Sequence, residues 1–183
     1  SLLSSLEGQN INNLIKKADK QHPRIILSDP ELNKVEAKIA QDSVLKNVYE
    51  SVVSSTEKIL SEPPVKRELK GKRLLGKSRT CLNRVVRLAL VYRISGDQRL
   101  LKRAEAEMLA AANFKDWNPD HFLDVGEMTA ALAIGYDWLY NELSIESRKK
   151  IRTAIIEKGL LPGLEDHWWV TTEINWNPVC HCG

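Results

Sequence analysis

Two segments of this 183-residue chain concentrate the side chains that could do chemistry. Residues 114–124 read FKDWNPDHFLD, and residues 165–183 read EDHWWVTTEINWNPVCHCG. Both place tryptophan beside asparagine, histidine or carboxylates. A tryptophan face suits a sugar ring because it offers apolar area together with an N–H donor, although tryptophans fill cores as readily. The two segments therefore predict either a carbohydrate groove or aromatic plugs between helices.

Polar side chains within these segments would contact the ligand. His121 lies between Asp120 and Asp124 and would be either an oriented general base or a brace for the following helix. The pair Asn177–Pro178 is a helix-start signal, which puts His181 in a first turn where the helix end favours a ligand carboxylate. Asn175 and Asn177 offer neutral amide donors for the same purpose. The candidate substrate-binding residues are Trp117, His121, Trp176, Asn177 and His181.

The three cysteines, Cys81, Cys180 and Cys182, form no disulfide framework. Cys180 and Cys182 flank His181, but a closed zinc site needs four ligands and a C-x₂₋₄-C spacing is more usual. The chain also has no glycine-rich phosphate loop, no G-x-S-x-G and no H-E-x-x-H motif. The sequence therefore predicts neither a metal nor another cofactor.

Charge is unevenly distributed in a chain whose net charge is only +3. Residues 66–79, KRELKGKRLLGKSR, hold seven basic side chains and one acidic one. Such a stretch is either a solvated loop or a surface that attracts polyanions, whether nucleic acid or acidic polysaccharide. No apolar run approaches the ~20 residues that would span a bilayer.

The apolar pattern is helical almost throughout. Ser28, Asp97 and Ser144 are predicted helix starts, and Gly96 and Gly159 are predicted stops. The helix over about 123–140 is apolar nearly all round and belongs to an inner layer, whereas its successor is amphipathic. The prediction is an all-α fold, built as an α-solenoid or an α/α toroid, with an ordinary helical bundle as the alternative.

Three segments resemble the N-terminal helical half of the heparinase II/III-like polysaccharide lyases. They are HPRIILSDPELNKVEAKI, the run LVYRISGDQRLLKRAEAEMLAAANFKDWNPDHFLDVGEMTAALAIGYDWLYNEL, and NWNPVC. The resemblance implies an incomplete α/α toroid of antiparallel helical hairpins. Residues 1–21 would be an N-terminal extension and residues 22–183 the N-terminal part of the toroid, with the remaining toroid and a β-sandwich domain absent.

The same resemblance implies β-elimination on a uronic-acid-containing polysaccharide of the heparin, heparan sulfate or alginate type. Asn175 would be the catalytic neutraliser of the uronate carboxylate, and the base and acid would lie beyond Gly183. The implied partner is an acidic polysaccharide rather than nucleic acid or membrane, and the implied location is periplasmic or secreted. The alternative function is a non-catalytic carbohydrate-binding helical scaffold.

A glycoside hydrolase using two of Asp120, Asp124 and Glu127 is a third, less favoured interpretation. The reading of the chain as a truncated toroid carries one more expectation. Residues 165–183 would pack poorly and leave Trp168, Trp169, Trp176 and Val179 exposed, so that the chain would either self-associate through this end or be disordered there.

Overall fold

The computed structural model describes residues 21–165, 167–171, 176, 179 and 180. Within these residues the chain forms six α-helices and no strand, so the fold is all-α as the sequence predicts. The helices are α1 (Asp29–Gln41), α2 (Ser43–Glu57), α3 (Leu75–Ser95), α4 (Gln98–Ala112), α5 (Leu123–Trp138) and α6 (Ile145–Ala154). No helix of the described part is long and apolar enough to cross a membrane.

Local capping explains where these helices begin and end. The Asp97 carboxylate accepts a hydrogen bond from the Arg99 N–H at 2.9 Å, and the Ser144 hydroxyl accepts one from the Ser147 N–H at 3.0 Å. Gly96, with φ of 73°, closes α3 in the left-handed conformation that glycine adopts without steric cost. These predicted boundaries are confirmed.

Helices that follow one another along the chain pack against each other. The buried helix α5 packs chiefly against α3, while α4 lies against both α3 and α6. Both α3 and α5 bury much of their surface, and α5 buries even Asp124, Thr129 and Asp137. The prediction that α5 is an inner helix followed by an amphipathic outer helix is confirmed.

Gly159 does not stop the last helix, contrary to expectation. The chain continues from α6 through a π-helical turn, Ile155–Leu160, in which Leu161 N–H donates to the Ile156 carbonyl. A Cβ at Gly159 would lie 2.5 Å from the Thr129 hydroxyl and 3.1 Å from the Trp117 ring. A glycine is therefore required here because the turn lies close to α5, and not because a helix ends at this residue.

Candidate functional site

The segment before α5 turns sharply to bring its polar side chains together. Asn118 has φ of 63°, a left-handed conformation that asparagine tolerates better than most residues, and its N–H donates to the Asp116 carboxylate at 2.9 Å. A short 3₁₀ turn, Pro119–His121, then leads into the first turn of α5. This geometry places His121 one helical turn before Asp124.

Asp124 is the hub of the site. Its side chain is fully buried and its Oδ2 accepts hydrogen bonds from the Leu74 N–H at 2.5 Å and from the Asn118 amide at 2.7 Å. Its Oδ1 lies 2.7 Å from Nδ1 of His121. Because a carboxylate that meets three donors only accepts, His121 presents its Nδ1–H to it. The other ring nitrogen, Nε2, is then the one left to meet a ligand, and it makes no hydrogen bond within the described residues.

His121 touches an aromatic cleft. Its ring meets the Trp176 ring edge-on, with centroids 4.9 Å apart, and Trp176 in turn lies 5.3 Å from Trp168. Trp168 is 63% exposed, so its face is open to solvent. The cleft has a volume of about 300 Å³ and is lined by Asp120, Phe122, Glu165, His167, Trp168 and Trp176, among others.

The basic loop, residues 66–74, contacts the Asp124 cluster through its backbone. Gly71, with φ of 62°, makes the tight turn that lets Lys70 and Arg73 pair through their backbones. The Lys72 carbonyl accepts from the Asn118 amide at 2.9 Å, and both Lys72 and Arg73 have exposed side chains. The backbone of this loop is thus bound to the Asp124 cluster, and two exposed cations follow one another on it.

An ion pair holds the start of this loop. The Arg67 guanidinium lies 2.5 Å from the Asp116 carboxylate. Burial raises the pKa of Asp116, but the hydrogen bonds from Arg67 and from the Asn118 N–H outweigh burial and leave this pKa below its usual value. The basic stretch is consequently anchored to the body of the fold at this point.

The segment near the C-terminus packs onto α5 across a glycine. A Cβ at Gly126 would lie 2.8 Å from the Val179 carbonyl oxygen and 3.4 Å from the Cys180 Cα. Cys180 is partly buried, and burial raises the pKa of its thiol to about 11. Trp176 and Cys180 both pack against the core.

The expected exposure of this end is therefore only partly correct. Trp168 is exposed, but Trp169 is 3% exposed because its ring packs on Phe122 and His167. Trp176 and Val179 are half-buried. The expectation that all four side chains lack a packing partner is wrong.

The structure brings together two of the sequence-predicted site residues, His121 and Trp176. Trp117 does not join them: its ring is fully buried and its indole N–H donates to the Ala111 carbonyl at 3.0 Å, so it fills the core. Asn175, Asn177 and His181 lie outside the described residues. No cluster of metal-ligating side chains occurs in the part of the chain that is described.

The carboxylates proposed for a glycoside hydrolase are not arranged for that reaction. Asp124 is buried beneath three donors, and Glu127 pairs with Arg79 at 3.0 Å. Asp120, the third candidate, is exposed at the edge of the cleft. A glycosidase needs two carboxyl groups that both reach the scissile bond, so this interpretation loses support.

Sequence reasoning missed two members of the site. Both precede Asp124 in the chain: the side chain of Asn118 and the backbone N–H of Leu74 donate to its carboxylate. The signal for Asn118 was its place before Pro119 in a turn, but nothing in the sequence indicates that residue 74 reaches α5. The chain matches no family model, and no curated protein shows significant sequence similarity to it.

Proposed function

We propose that this chain is a portion of an α/α toroid in a heparinase II/III-like polysaccharide lyase, and that it binds an acidic, uronic-acid-containing polysaccharide. The proposal is supported by the resemblance of its sequence segments and by the all-α fold, in which successive helices pack against each other. A substrate of this kind lies outside the cytoplasm, so the proposed location is the periplasm or the medium.

One observation carries the proposal: an Asp-oriented histidine is in contact with a tryptophan, and a loop that carries two exposed cations is bound to the same aspartate cluster. The buried Asp124 fixes the ring of His121, the His121 ring meets Trp176, and the Lys72 carbonyl is bound to the same cluster. Each part has a use toward an acidic sugar. A tryptophan face packs on the pyranose ring, the cations attract its carboxylate, and Nε2 can form a hydrogen bond to it.

The reaction proposed for the whole protein is β-elimination. Neutralising the uronate carboxylate makes the C5 proton acidic, a base removes that proton, and an acid protonates the departing glycosidic oxygen. We propose Asn175, next to Trp176 in the chain, as the neutraliser, with Asn177 and His181 as further contacts. The two carboxylates at the cleft, Asp120 and Glu165, would accept hydrogen bonds from sugar hydroxyls rather than meet the uronate charge.

The second candidate function, a non-catalytic carbohydrate-binding scaffold, is favoured by the positions of the four tyrosines. Tyr49 is on α2, Tyr92 is in the last turn of α3, Tyr136 is in the last turn of α5, and Tyr140 follows two residues after α5 ends. At 1.5 Å per residue, Tyr136 lies roughly 18 Å along the helix from Asp124. No tyrosine is therefore placed to act as the base beside His121, and binding without elimination is what these residues support by themselves.

Affinity electrophoresis and calorimetry with alginate, hyaluronan and heparan sulfate oligosaccharides test the binding proposal. The variant Lys72→Gln/Arg73→Gln should bind about 10-fold more weakly, since each cation close to an anionic ligand contributes a charge-assisted contact. The control Lys34→Gln/Lys38→Gln removes the same charge from exposed positions of α1 and should bind as the wild type does. Equal weakening of both variants, or no binding of any uronate polymer, would refute the proposed cleft.

Elimination is measured separately, by the ultraviolet absorbance of unsaturated uronate. This chain, and any longer form of the protein that contains it, is incubated with each polymer. Absorbance that rises with time supports the lyase, whereas binding without any rise supports the scaffold alternative.

A further inference from the structure

A groove lies between α2 and the corner where α3 passes into α4. Its volume is about 460 Å³. The lining is apolar along its length: Tyr49 and Val53 of α2 are half-buried on one side, and Val91 of α3 and Leu100 of α4 are buried on the other. The groove therefore offers apolar side-chain surface to a segment that lies along α2.

The rim of the groove is acidic. Glu50 and Glu57 of α2 and Asp97 before α4 line it. Arg99 pairs with Glu57 at 3.0 Å and with Asp97 at 2.6 Å, whereas Glu50 forms no ion pair with a described residue. Three carboxylates against one guanidinium give this rim a net charge of −2, which favours a basic partner.

A segment of the chain outside the described residues has the complementary chemistry. Within residues 11–20 the apolar side chains follow the i, i+3, i+4, i+7 spacing of one helical face: Ile11, Leu14, Ile15 and Ala18. Three lysines and one aspartate give the same stretch a net charge of +2. The pattern predicts a short amphipathic helix whose polar side is basic.

The described chain begins close to the groove. Pro23, two residues after Gln21, lines a cavity that Gly96 also lines. Gly96 stands between Ser95 and Asp97, and both of these line the groove. Because an extended chain spans about 3.3–3.6 Å per residue, the few residues before Pro23 are enough to reach it.

We propose that residues 11–20 bind in this groove of their own chain, with their apolar stripe on its lining and their lysines toward its acidic rim. The lengths agree: at 1.5 Å per residue, the stripe from Ile11 to Ala18 spans about 10 Å and the lining of α2 from Tyr49 to Glu57 about 12 Å. A tethered segment is present at an effective concentration of about 1 mM or more, which favours it over the same segment of a second copy. This proposal does not depend on the function proposed for the cleft.

The test is zero-length carbodiimide crosslinking of the full chain, with the new amide bonds mapped by mass spectrometry. We expect bonds from the lysines of residues 16–20 to Glu50 or Glu57. An equimolar mixture of chains labelled with nitrogen-14 and nitrogen-15 shows whether each bond joins one chain or two, and we expect bonds within one chain.

Two double variants test the apolar stripe. Leu14→Asp/Ile15→Asp should lower the yield of these bonds about 10-fold or more, because two large apolar side chains can no longer be buried. The matched control Asn12→Asp/Asn13→Asp adds the same two charges to the same segment away from the stripe, and it should lower the yield less than about 3-fold.

Three outcomes would overturn the proposal: bonds only to carboxylates outside the groove, bonds between two chains, and equal losses in the two variants. A second measurement needs no crosslinker. The methyl resonances of Val53 and Val91 should shift between the wild type and Leu14→Asp/Ile15→Asp, and they should stay in place in the asparagine control. Unchanged methyl resonances in the stripe variant contradict the docking.

Discussion

Removing the carboxylate of Asp124 should both destabilise the fold and free the basic loop. Three donors converge on this fully buried group: Leu74 N–H at 2.5 Å, the Asn118 amide at 2.7 Å and His121 Nδ1 at 2.7 Å. Each donor left buried without a partner costs about 1–3 kcal/mol. Some of them regain water in the variant, so we expect Asp124→Ala to lose about 3–5 kcal/mol of the free energy of unfolding.

The isosteric variant Asp124→Asn gives a sharper result. Its one amide oxygen can still accept from Leu74 and Asn118, which turns the amide NH₂ toward His121. The Nδ1 of His121 must then accept, so the ring proton moves to Nε2. The hydrogen bonds from Leu74 and Asn118 then go to a neutral acceptor, and the hydrogen bond with His121 reverses its direction. We expect these changes to lower the free energy of unfolding by about 1–3 kcal/mol.

Two measurements check this reasoning. Urea unfolding gives the free energies, and the alanine variant should melt roughly 10 °C below the wild type, at about 2–4 °C per kcal/mol for a chain of this size. Long-range nitrogen–proton NMR spectra report the tautomer of His121, which should be Nδ1–H in the wild type and Nε2–H in Asp124→Asn. The control Asp120→Asn, at an exposed neighbour, should stay within about 0.5 kcal/mol. An unfolding midpoint equal to that of the wild type in Asp124→Ala, or an unchanged His121 tautomer in Asp124→Asn, would refute the conclusion that Asp124 holds these three donors.

Three further predictions concern the core and the thiols. Gly135→Ala should cost about 1–3 kcal/mol of the free energy of unfolding, because its Cβ would lie 2.5 Å from side chains of α3 and α4. Gly76→Ala should instead gain about 0.5 kcal/mol, because nothing lies within 4 Å of its Cβ. Equal free energies of unfolding for the two variants in denaturant melts would contradict this. Glu107→Gln should cost about 3–5 kcal/mol, because it leaves the buried Arg103 without its carboxylate partner and takes one of two carboxylates from Arg84. Glu146→Gln, at an exposed ion pair, should cost under about 1 kcal/mol, and equal losses would count against the buried pair. Burial raises the pKa of the Cys180 thiol from 9.0 to about 11, so this thiol deprotonates at lower pH in the unfolded chain than in the folded one. The free energy of unfolding should therefore fall as pH rises from 9 toward 11, and Cys180→Ser should remove that fall. The same pH dependence in the serine variant would contradict this prediction.

Local chemistry made the helix boundaries predictable from the sequence. Asp97 and Ser144 bond to N–H groups two and three residues away, and Gly96 needs only its own backbone freedom. The inner position of α5 was equally predictable, since a helix that is apolar on every side has to be buried. Pairings within three or four residues, such as His121 with Asp124, could be anticipated for the same reason.

Contacts between distant segments could not be anticipated. The Asp137–His22 contact joins residues 115 positions apart, and no pattern in the sequence connects a solitary histidine with the end of α5. Gly159 was predicted to stop a helix, because the sequence alone does not show that Thr129 and Trp117 lie too close to it for a Cβ. Trp117 was predicted to contact a ligand, because the sequence alone does not show that its indole is buried in the core.

We propose that an acidic sugar binds where His121 meets Trp176, next to the loop that carries Lys72 and Arg73. The most direct measurement is an NMR titration of the nitrogen-labelled chain with unsulfated oligouronate, such as oligoalginate. We expect the Trp176 indole and the His121 Nε2 resonances to shift together along one saturating curve, with the amides of Lys72 and Arg73, while those of Tyr136 stay unchanged. Unchanged Trp176 and His121 resonances at saturating oligouronate would contradict the account.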